Sequence, residues 1–197
     1  GLWKQYEHDR DAYTDSKAGF VWKYTQKAKS LYGGRYEKAG SGQWRRASAG
    51  DTGCLRRIAR ESEAHWGYGE AFMDTFDSTF NITEQFIREN PVYVSWDHEN
   101  AIAFWGLKRD GGGWELEYFY ISEQYLGNGC GKQMWNHLTD WCRCRSIPEF
   151  HFVTSPQAIG FYEKMGAKQD GMWRSSIDGR SIPHFIYNDK QPHPSKT

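Results

Sequence analysis

The sequence predicts a mixed α/β (α+β) fold, with a mostly antiparallel sheet that contains at least one parallel strand pair. Three consecutive apolar segments with short turns between them indicate antiparallel strands, at 92–96, 101–108 and 114–121. Helices and strands then alternate, at 129–145 (helix), 150–154 (strand), 157–165 (helix), 168–174 (strand) and 184–188 (strand). A strand–helix–strand order of this kind produces the parallel pair.

The segment before these strands is predicted to be mainly helical. A short strand at 43–47 is followed by a helix that Asp51 caps. The inward face of this helix consists of Leu55, Ile58 and Ala59. Residues 65–80 are predicted to form a loop and a helical turn rich in aromatic rings, and Thr83 caps a further helix that ends at Glu89.

The periodicity divides the chain into three parts. Residues 1–42 are predicted to form an amphipathic helical extension with a Gly-rich connector, 43–190 the main domain, and 191–197 a disordered tail. The aromatic face of the extension must bury against the main domain, against a second copy in a possible homodimer, or against missing chain. Because the sequence starts at Gly1 rather than Met, the alternative that the chain is a fragment of a longer protein stays open.

Composition excludes several functional classes. Lys plus Arg number 25 and Asp plus Glu number 25, so the net charge is zero, which argues against a nucleic-acid or anionic-membrane binder that works by bulk charge. No apolar stretch approaches the roughly 20 residues of a membrane span. Four Cys are too few and too unevenly placed for a disulfide framework, so a reduced cytoplasmic protein is expected.

The most informative segment is a glycine-rich turn between a predicted strand and a predicted helix, Ile121 to Lys132. Its glycines expose successive N–H groups at a helix N-terminus, where the partial positive charge suits a phosphate. A glycine-rich turn without a ligand is the alternative. A dinucleotide fingerprint fails because Lys132 replaces the third Gly, and a P-loop fails because Gln133 follows Gly131-Lys132.

Two motifs together resemble those of the GNAT superfamily of N-acetyltransferases. The first is Gln124-Tyr125-Leu126-Gly127-Asn128-Gly129, the pyrophosphate loop of that superfamily, and the second is the run from Ser155 to Ala167 with Phe161-Tyr162 and Gly166. The resemblance covers about residues 44–188. It implies a GNAT fold in which strands four and five form a splayed parallel pair, helices on both faces of the sheet, and acetyl-CoA in the gap.

The resemblance also implies the cofactor-binding residues. The pantetheine arm of CoA would pair with the backbone of the fourth strand, and the diphosphate would accept bonds from the turn. The residues implied are Phe119, Tyr120, Ile121, Gln124, Leu126, Gly127, Asn128, Gly129, Cys130, Gly131, Lys132, Ser155 and Phe161. Two positions depart from the family pattern, because Leu126 stands where Arg is frequent and Ser155 where Asn is frequent.

Three residues are the catalytic candidates for a direct attack of a substrate amine on the thioester. Glu115 and Glu117 lie two apart on the fourth strand and therefore on one face, where a carboxylate can take the amine proton. Tyr162 matches the family tyrosine that protonates the departing CoA thiolate. The structural alternatives are solvent-facing or amine-binding carboxylates and a packing tyrosine beside Phe161.

The acceptor is expected to be a primary amine of a small molecule, with Trp66, Tyr68 and Phe72 shaping its pocket. No metal is expected, since Cys142 and Cys144 lack a partner pair and the His residues show no ligand spacing. Cys130 lies at a helix N-terminus, where a thiol pKa falls, but a small residue that fills the turn is the preferred interpretation. The alternative function is a non-catalytic, CoA-binding sensor or scaffold with a GNAT fold.

Overall fold

The computed structural model describes residues 42–189. The strands are β1 (Gln43–Arg46), β2 (Val92–Asp97), β3 (Asn100–Asp110), β4 (Gly113–Ile121), β5 (Glu149–Val153), β6 (Lys168–Arg174) and β7 (Ser181–Asn188). The α-helices are α1 (Thr52–Ala64), α2 (Glu70–Thr79), α3 (Glu84–Glu89), α4 (Cys130–Arg143) and α5 (Ile159–Lys164). The predicted N-terminal extension up to residue 41 and the predicted tail at 191–197 lie outside the described residues.

The seven strands form one sheet in the order β1-β2-β3-β4-β5-β7-β6. Every neighbouring pair is antiparallel except β4 and β5, which run parallel because α4 carries the chain from one to the other. The mixed, mostly antiparallel sheet predicted from the sequence is therefore confirmed.

The parallel pair diverges almost at once. β4 and β5 pair in register only at Glu115 opposite His151, whereas the other edge of β4 pairs with β3 as far as Ile121. A β-bulge accompanies the divergence, since Tyr118 pairs with Gly106 and Leu116 with Leu107, which leaves Glu117 as the extra residue on β4. The predicted splay is thus confirmed, and the edge of β4 beyond Glu115 is open towards β5.

Two apolar cores cover the two faces of the sheet. The first packs α4 and α5 against the strands around Trp105, Met134 and Phe152, and the second packs α1, α2 and α3 around Phe104 and Ile58. Each of these residues is at most 1% exposed. Within residues 42–189, no helix combines the length and the apolar character that a membrane crossing requires.

The helix α2 is longer than the sequence predicted. Residues 65–80 were expected to form a loop with one helical turn, but a ten-residue helix occupies Glu70–Thr79. Its buried residues Met73 and Phe76 are three apart and contact the second core, so tertiary packing extends the helix beyond what the glycines on its N-terminal side indicate. The single-turn prediction was wrong.

Asp51 precedes α1, but its side chain does not cap that helix as predicted. Its carboxylate instead accepts hydrogen bonds from the guanidinium of Arg45, at 2.8 and 2.7 Å, and from the backbone N–H of Ser48, at 2.7 Å. The bond to Arg45, against an opposing effect of burial, lowers the Asp51 pKa from 3.8 to about 2. Asp51 therefore ties β1 to the start of α1 by an ion pair.

We expect Asp51→Asn to destabilise the domain at neutral pH by about 2 kcal/mol, since one pKa unit corresponds to about 1.4 kcal/mol. Because the folded-state pKa is lowered, this stability is present above pH 3.8 and is lost as the pH falls towards 2. Denaturant titrations of both proteins at pH 7 and pH 3 measure the difference in the free energy of unfolding. The exposed Asp74→Asn is the control, and an equal deficit at both pH values would contradict the assignment.

Candidate active site

A cavity of about 690 Å³ occupies the gap between β4 and β5. Its lining includes residues that belong to both cores. Phe119 packs with the α4 and α5 core and Tyr120 with the other core, and both line the cavity. The opening therefore passes through the sheet at the point where β4 and β5 separate, and it is accessible to ligand groups on either face.

Most of the residues predicted from the sequence lie together around this cavity. Those in its lining are Trp66, Phe72, Glu115, Glu117, Phe119, Tyr120, Ile121, Leu126, Gly127, Gly129, Gly131, Lys132, Ser155, Phe161 and Tyr162. Four predicted residues are not part of the lining, namely Tyr68, Gln124, Asn128 and Cys130. Tyr68 lies behind the wall, where its ring stacks on Phe72 at 4.2 Å.

The glycine turn presents a row of unpaired backbone amides. Gly127 and Gly129 have φ values of +76° and +81°, a left-handed conformation that favours glycine and aims the following N–H groups outward. The first hydrogen bond of α4 runs from Gln133 N–H to the Gly129 carbonyl at 3.2 Å. Among the described residues, nothing accepts a bond from the backbone N–H groups of 127–132. Together with the helix dipole, these amides suit a diphosphate.

Two expectations for this turn need correction. The N–H of Leu126 donates to the carbonyl of Glu123 at 3.1 Å, so this amide already has a partner. Burial raises the pKa of the Cys130 thiol to about 11, which outweighs the lowering expected at a helix N-terminus.

Gln124 and Asn128 contact each other, since the Asn128 amide donates to the Gln124 carbonyl at 3.4 Å. Among residues 42–189, no cluster of three acidic, His or Cys side chains is placed to hold a metal ion.

Gly131 lets the first turn of α4 approach α5 closely. A Cβ at this position would lie 3.2 Å from the Phe161 ring, which is tighter than ordinary van der Waals contact, and 3.4 Å from Ile121. Gly131 and Phe161 both line the cavity. The absence of a side chain at 131 therefore keeps the amides of the turn beside the gap between the strands.

Tyr162 is 7% exposed and lies where the cavity passes between the strands. Its ring packs on Phe152 at 4.5 Å and on Phe119 at 5.9 Å, and its hydroxyl forms a hydrogen bond with Thr154. Burial raises the Tyr162 pKa, and the negative charge of Glu63 adds to this increase against the opposing bond from Thr154. The phenol therefore stays protonated across the neutral range.

Glu115 and Glu117 lie on one face of β4, as predicted, and share a partner that the sequence did not reveal. The ammonium of Lys108 lies 3.1 Å from the Glu115 carboxylate and 2.5 Å from that of Glu117. Although burial opposes it, bonding to the two carboxylates raises the Lys108 pKa. The two candidate bases consequently share one neighbouring cation.

Glu63 is a further carboxylate in the cavity, and the sequence analysis missed it. It lies in the last turn of α1, and among the described residues no group hydrogen-bonds to its carboxylate. Burial raises the Glu63 pKa, against an opposing attraction from Arg180. A partly buried carboxylate with a raised pKa, close enough to Tyr162 to influence it, is a recognisable proton acceptor.

Solved structures with similar folds are acetyltransferases. An N-acetyltransferase from Thermoplasma acidophilum (PaiA), solved in complex with coenzyme A, is 20% identical with a TM-score of 0.59, over 75% of this chain and 99% of its own. A GCN5-related N-acetyltransferase from Rhodopseudomonas palustris is 16% identical with a TM-score of 0.63, over 76% and 96%. The ribosomal-protein-S18-alanine N-acetyltransferase from Escherichia coli is 17% identical with a TM-score of 0.58, over 77% and 96%. At these identities the likeness establishes the fold.

A search of curated proteins found no match. The family model described as acetyltransferase (GNAT) family matches residues 55–167, which include the glycine turn, α4, β5 and α5. This match spans more than half of the chain and agrees with the motifs that the sequence analysis singled out. Acetyl-CoA is the cofactor of that family. The chain therefore belongs to the GNAT family of acetyltransferases.

Proposed function

We propose that the protein transfers the acetyl group of acetyl-CoA to the primary amine of a small molecule. The observation that carries this proposal is the cavity between β4 and β5, which connects an open row of amides with the buried Tyr162 and with Glu63. Acetyl-CoA, when bound, supplies an acetyl group on a thioester sulfur. The protein must hold that thioester in the gap, take a proton from the amine and provide a proton for the sulfur.

The cofactor would be held by main-chain groups of β4 and the glycine turn. The open edge of β4 at Phe119 to Ile121 offers backbone partners for the pantetheine arm, and the N–H groups from Gly127 to Gly131 face the diphosphate. Lys132 adds a positive charge at the same place, and Ser155 also lines the cavity. We propose no side-chain contact to the cofactor for Gln124, Asn128 or Cys130.

Glu63 is the base that we propose for the amine. An alkylammonium ion must lose a proton before it can attack, and a carboxylate with a raised pKa accepts that proton more readily than an ordinary one. The predicted bases Glu115 and Glu117 already bind the Lys108 ammonium, which competes with the substrate amine for both carboxylates. We assign them to positioning the acceptor side of the cavity, together with Trp66 and Phe72.

Tyr162 is the proposed acid. Glu63 passes the first proton of the ammonium ion to solvent. As the amine nitrogen then bonds to the acetyl carbon and the carbon–sulfur bond breaks, the nitrogen gives its second proton to Glu63 and the tyrosine hydroxyl gives its proton to the sulfur. Proton return from Glu63 to the phenolate restores both groups, either directly or through solvent. Because a phenol is a weaker acid than a thiol, its proton transfer has to accompany bond breaking.

Two measurements test the proposed function. Calorimetric titration with CoA should give saturable binding, and thiol release from acetyl-CoA should depend on an added amine. A screen of primary amines under these conditions separates the enzyme from a non-catalytic CoA-binding module with the same fold. Binding of CoA without amine-dependent thiol release for any amine would favour the non-catalytic module.

Gly129→Ala should weaken CoA binding about tenfold, because an alanine at φ +81° strains the turn by about 1–2 kcal/mol and displaces the following amides. The measurement is the CoA dissociation constant by calorimetry. Gly160→Ala is the matched control, since a Cβ there meets nothing within 4 Å and its φ is ordinary. Equal affinities for both variants would remove the glycine turn from the cofactor site.

A further inference from the structure

Two opposite charges line the cavity without touching each other, Glu63 on α1 and Arg180 just before β7. No nitrogen of Arg180 lies within 4.0 Å of the Glu63 carboxylate, the limit for an ion pair, yet Arg180 is near enough to affect Glu63 electrostatically. Charges that face one cavity without contact are satisfied best by a ligand that carries both signs.

The Arg180 guanidinium is held firmly by its neighbours. One nitrogen, Nη2, donates to the hydroxyl of Tyr68 at 3.0 Å, and the guanidinium lies over the rings of Tyr68, at 4.7 Å, and Phe72, at 5.1 Å. Nε lies 3.3 Å from the Asp178 carboxylate, an ion pair without a hydrogen bond. Within residues 42–189, no group accepts a hydrogen bond from Nη1. A rigid guanidinium with a donor to spare is a suitable partner for a carboxylate.

The loop that carries Arg180 is closed by its own hydrogen bonds. The N–H of Ser175 donates to the Arg180 carbonyl at 2.8 Å, and the N–H of Gly179 donates to the Ser175 carbonyl at 3.0 Å. The N–H of Arg180 itself donates to the Asp178 side chain at 3.2 Å. Arg180 is therefore placed before any ligand enters, which reduces the entropic cost of binding.

Much of the cavity wall is aromatic and apolar. Aromatic and apolar side chains that line the same cavity as the two charges are Trp66, Phe72, Phe76, Phe80, Trp173 and Ile177. Two of them, Trp66 and Trp173, are 38% and 47% exposed, which is unusual for tryptophan in this domain. A ligand with a large apolar side chain would cover them.

We propose that the acceptor is a free α-amino acid with a large apolar side chain, its amine at Glu63 and its carboxylate at Arg180. This inference rests on the proposed function, and it names the substrate class for the same site. In an α-amino acid, a single carbon separates the amine from the carboxylate. One small ligand of this class therefore carries both of the charges that Glu63 and Arg180 call for.

Diamines and polyamines suit the cavity less well. Their second ammonium would be repelled by Arg180 or Arg174, and at Glu115 and Glu117 it would compete with the Lys108 ammonium that both carboxylates already bind. An amine without a carboxylate would leave the spare donor of Arg180 without an acceptor. Since a guanidinium donor that loses water without gaining an acceptor costs binding energy, the site should discriminate strongly against such analogues.

The test compares L-phenylalanine with phenethylamine, which has the same ring and amine but no carboxylate. The wild-type kcat/KM for phenylalanine should exceed that for phenethylamine by about 100-fold. Arg180→Gln should lower kcat/KM for phenylalanine about 100-fold and change kcat/KM for phenethylamine less than about threefold. Arg180→Lys should lower kcat/KM for phenylalanine only about tenfold. Calorimetry of phenylalanine binding to the CoA-loaded protein gives an independent readout.

Arg145→Gln is the matched control, since Arg145 also lies over an aromatic ring, that of Trp141 at 4.2 Å, but does not line the cavity. Melting temperatures and CoA affinities of all variants verify folding. A wild-type preference for phenethylamine, or an equal loss with both acceptors in Arg180→Gln, would overturn the inference and leave the proposed function intact. If CoA binds but no amine of either class releases thiol, the proposed function fails, and the inference fails with it.

Discussion

Replacing Tyr162 with Phe should lower kcat about 100-fold and leave the CoA dissociation constant unchanged, because removal of a general acid typically costs 10²- to 10⁴-fold in rate. The phenylalanine ring keeps the packing on Phe152 and Phe119 and loses only the hydroxyl and its bond to Thr154. The stability cost of that bond should be about 1 kcal/mol. Steady-state thiol release and CoA calorimetry on the same preparation separate the two effects.

Tyr187→Phe is the matched control for this variant. Tyr187 is 3% exposed in the same core, and its hydroxyl donates to the Asp189 carboxylate at 3.1 Å, but it does not line the cavity. We expect a similar small loss of stability and an unchanged rate. If Tyr162→Phe kept a rate within threefold of wild type, Tyr162 would be a packing residue, which is the structural alternative that its sequence position left open.

Glu63→Gln should lower kcat/KM about 100- to 1000-fold at pH 7, since the glutamine side chain cannot accept the proton of the ammonium ion. The loss should shrink at higher pH, because solvent then deprotonates the amine before it binds. In the wild type, the rate should level off once the pH exceeds the raised pKa of Glu63. In the variant, the rate should keep rising towards the pKa of the amine. A pH–rate profile from 5 to 10 measures this difference.

Three carboxylates of the region provide the comparison. Glu61→Gln removes a charge two residues away in α1, but its carboxylate binds Arg57 at 3.0 Å and does not line the cavity, so the rate should hold. Glu115→Gln and Glu117→Gln should lower activity less than Glu63→Gln does. A larger loss for Glu117→Gln than for Glu63→Gln would move the base to β4, where the sequence analysis placed it.

Glu63→Gln should raise the stability of the fold at pH 7, although it lowers activity. The folded-state pKa of Glu63 is raised above its ordinary value of 4.5, so its favourable contribution is present below pH 4.5 and is lost as the pH rises through the raised value. The ionised carboxylate consequently destabilises the fold at pH 7. Glu63→Gln should melt at a higher temperature than wild type at pH 7, and the difference should vanish near pH 4.

The parts of the fold that depend on local chain chemistry were predictable from the sequence. The turn around Gly127 and Gly129 needs left-handed backbone conformations, and glycines at these spacings predict both the turn and the start of the helix that follows. The antiparallel strands followed from the hairpins and the parallel pair from the strand–helix–strand alternation, whereas the position of β7 between β5 and β6 was not predicted. In contrast, the hydrogen bond of the Leu126 N–H to Glu123 depends on a short 3₁₀ segment that no residue type specifies.

The parts that depend on tertiary contacts were not predictable in the same way. Lys108 joins Glu115 and Glu117 only through the register of β3 and β4, which the β-bulge alters. Glu63 did leave a signal, because it follows the buried Ala59 by four residues and so continues the inward stripe of α1. A carboxylate in an apolar stripe is a marker of function that the interpretation of α1 as a packing helix passed over.

The single register pair that joins Glu115 to His151 also has a mechanical consequence. Within residues 42–189, this pair is the one register position that joins strands β1–β4 to strands β5, β7 and β6. A cofactor arm lying along β4 would connect the two groups of strands beyond Glu115, where β4 and β5 do not pair. Bound acyl donor would then slow amide hydrogen exchange in both β4 and β5, so the rigidity of the sheet would depend on the concentration of the donor.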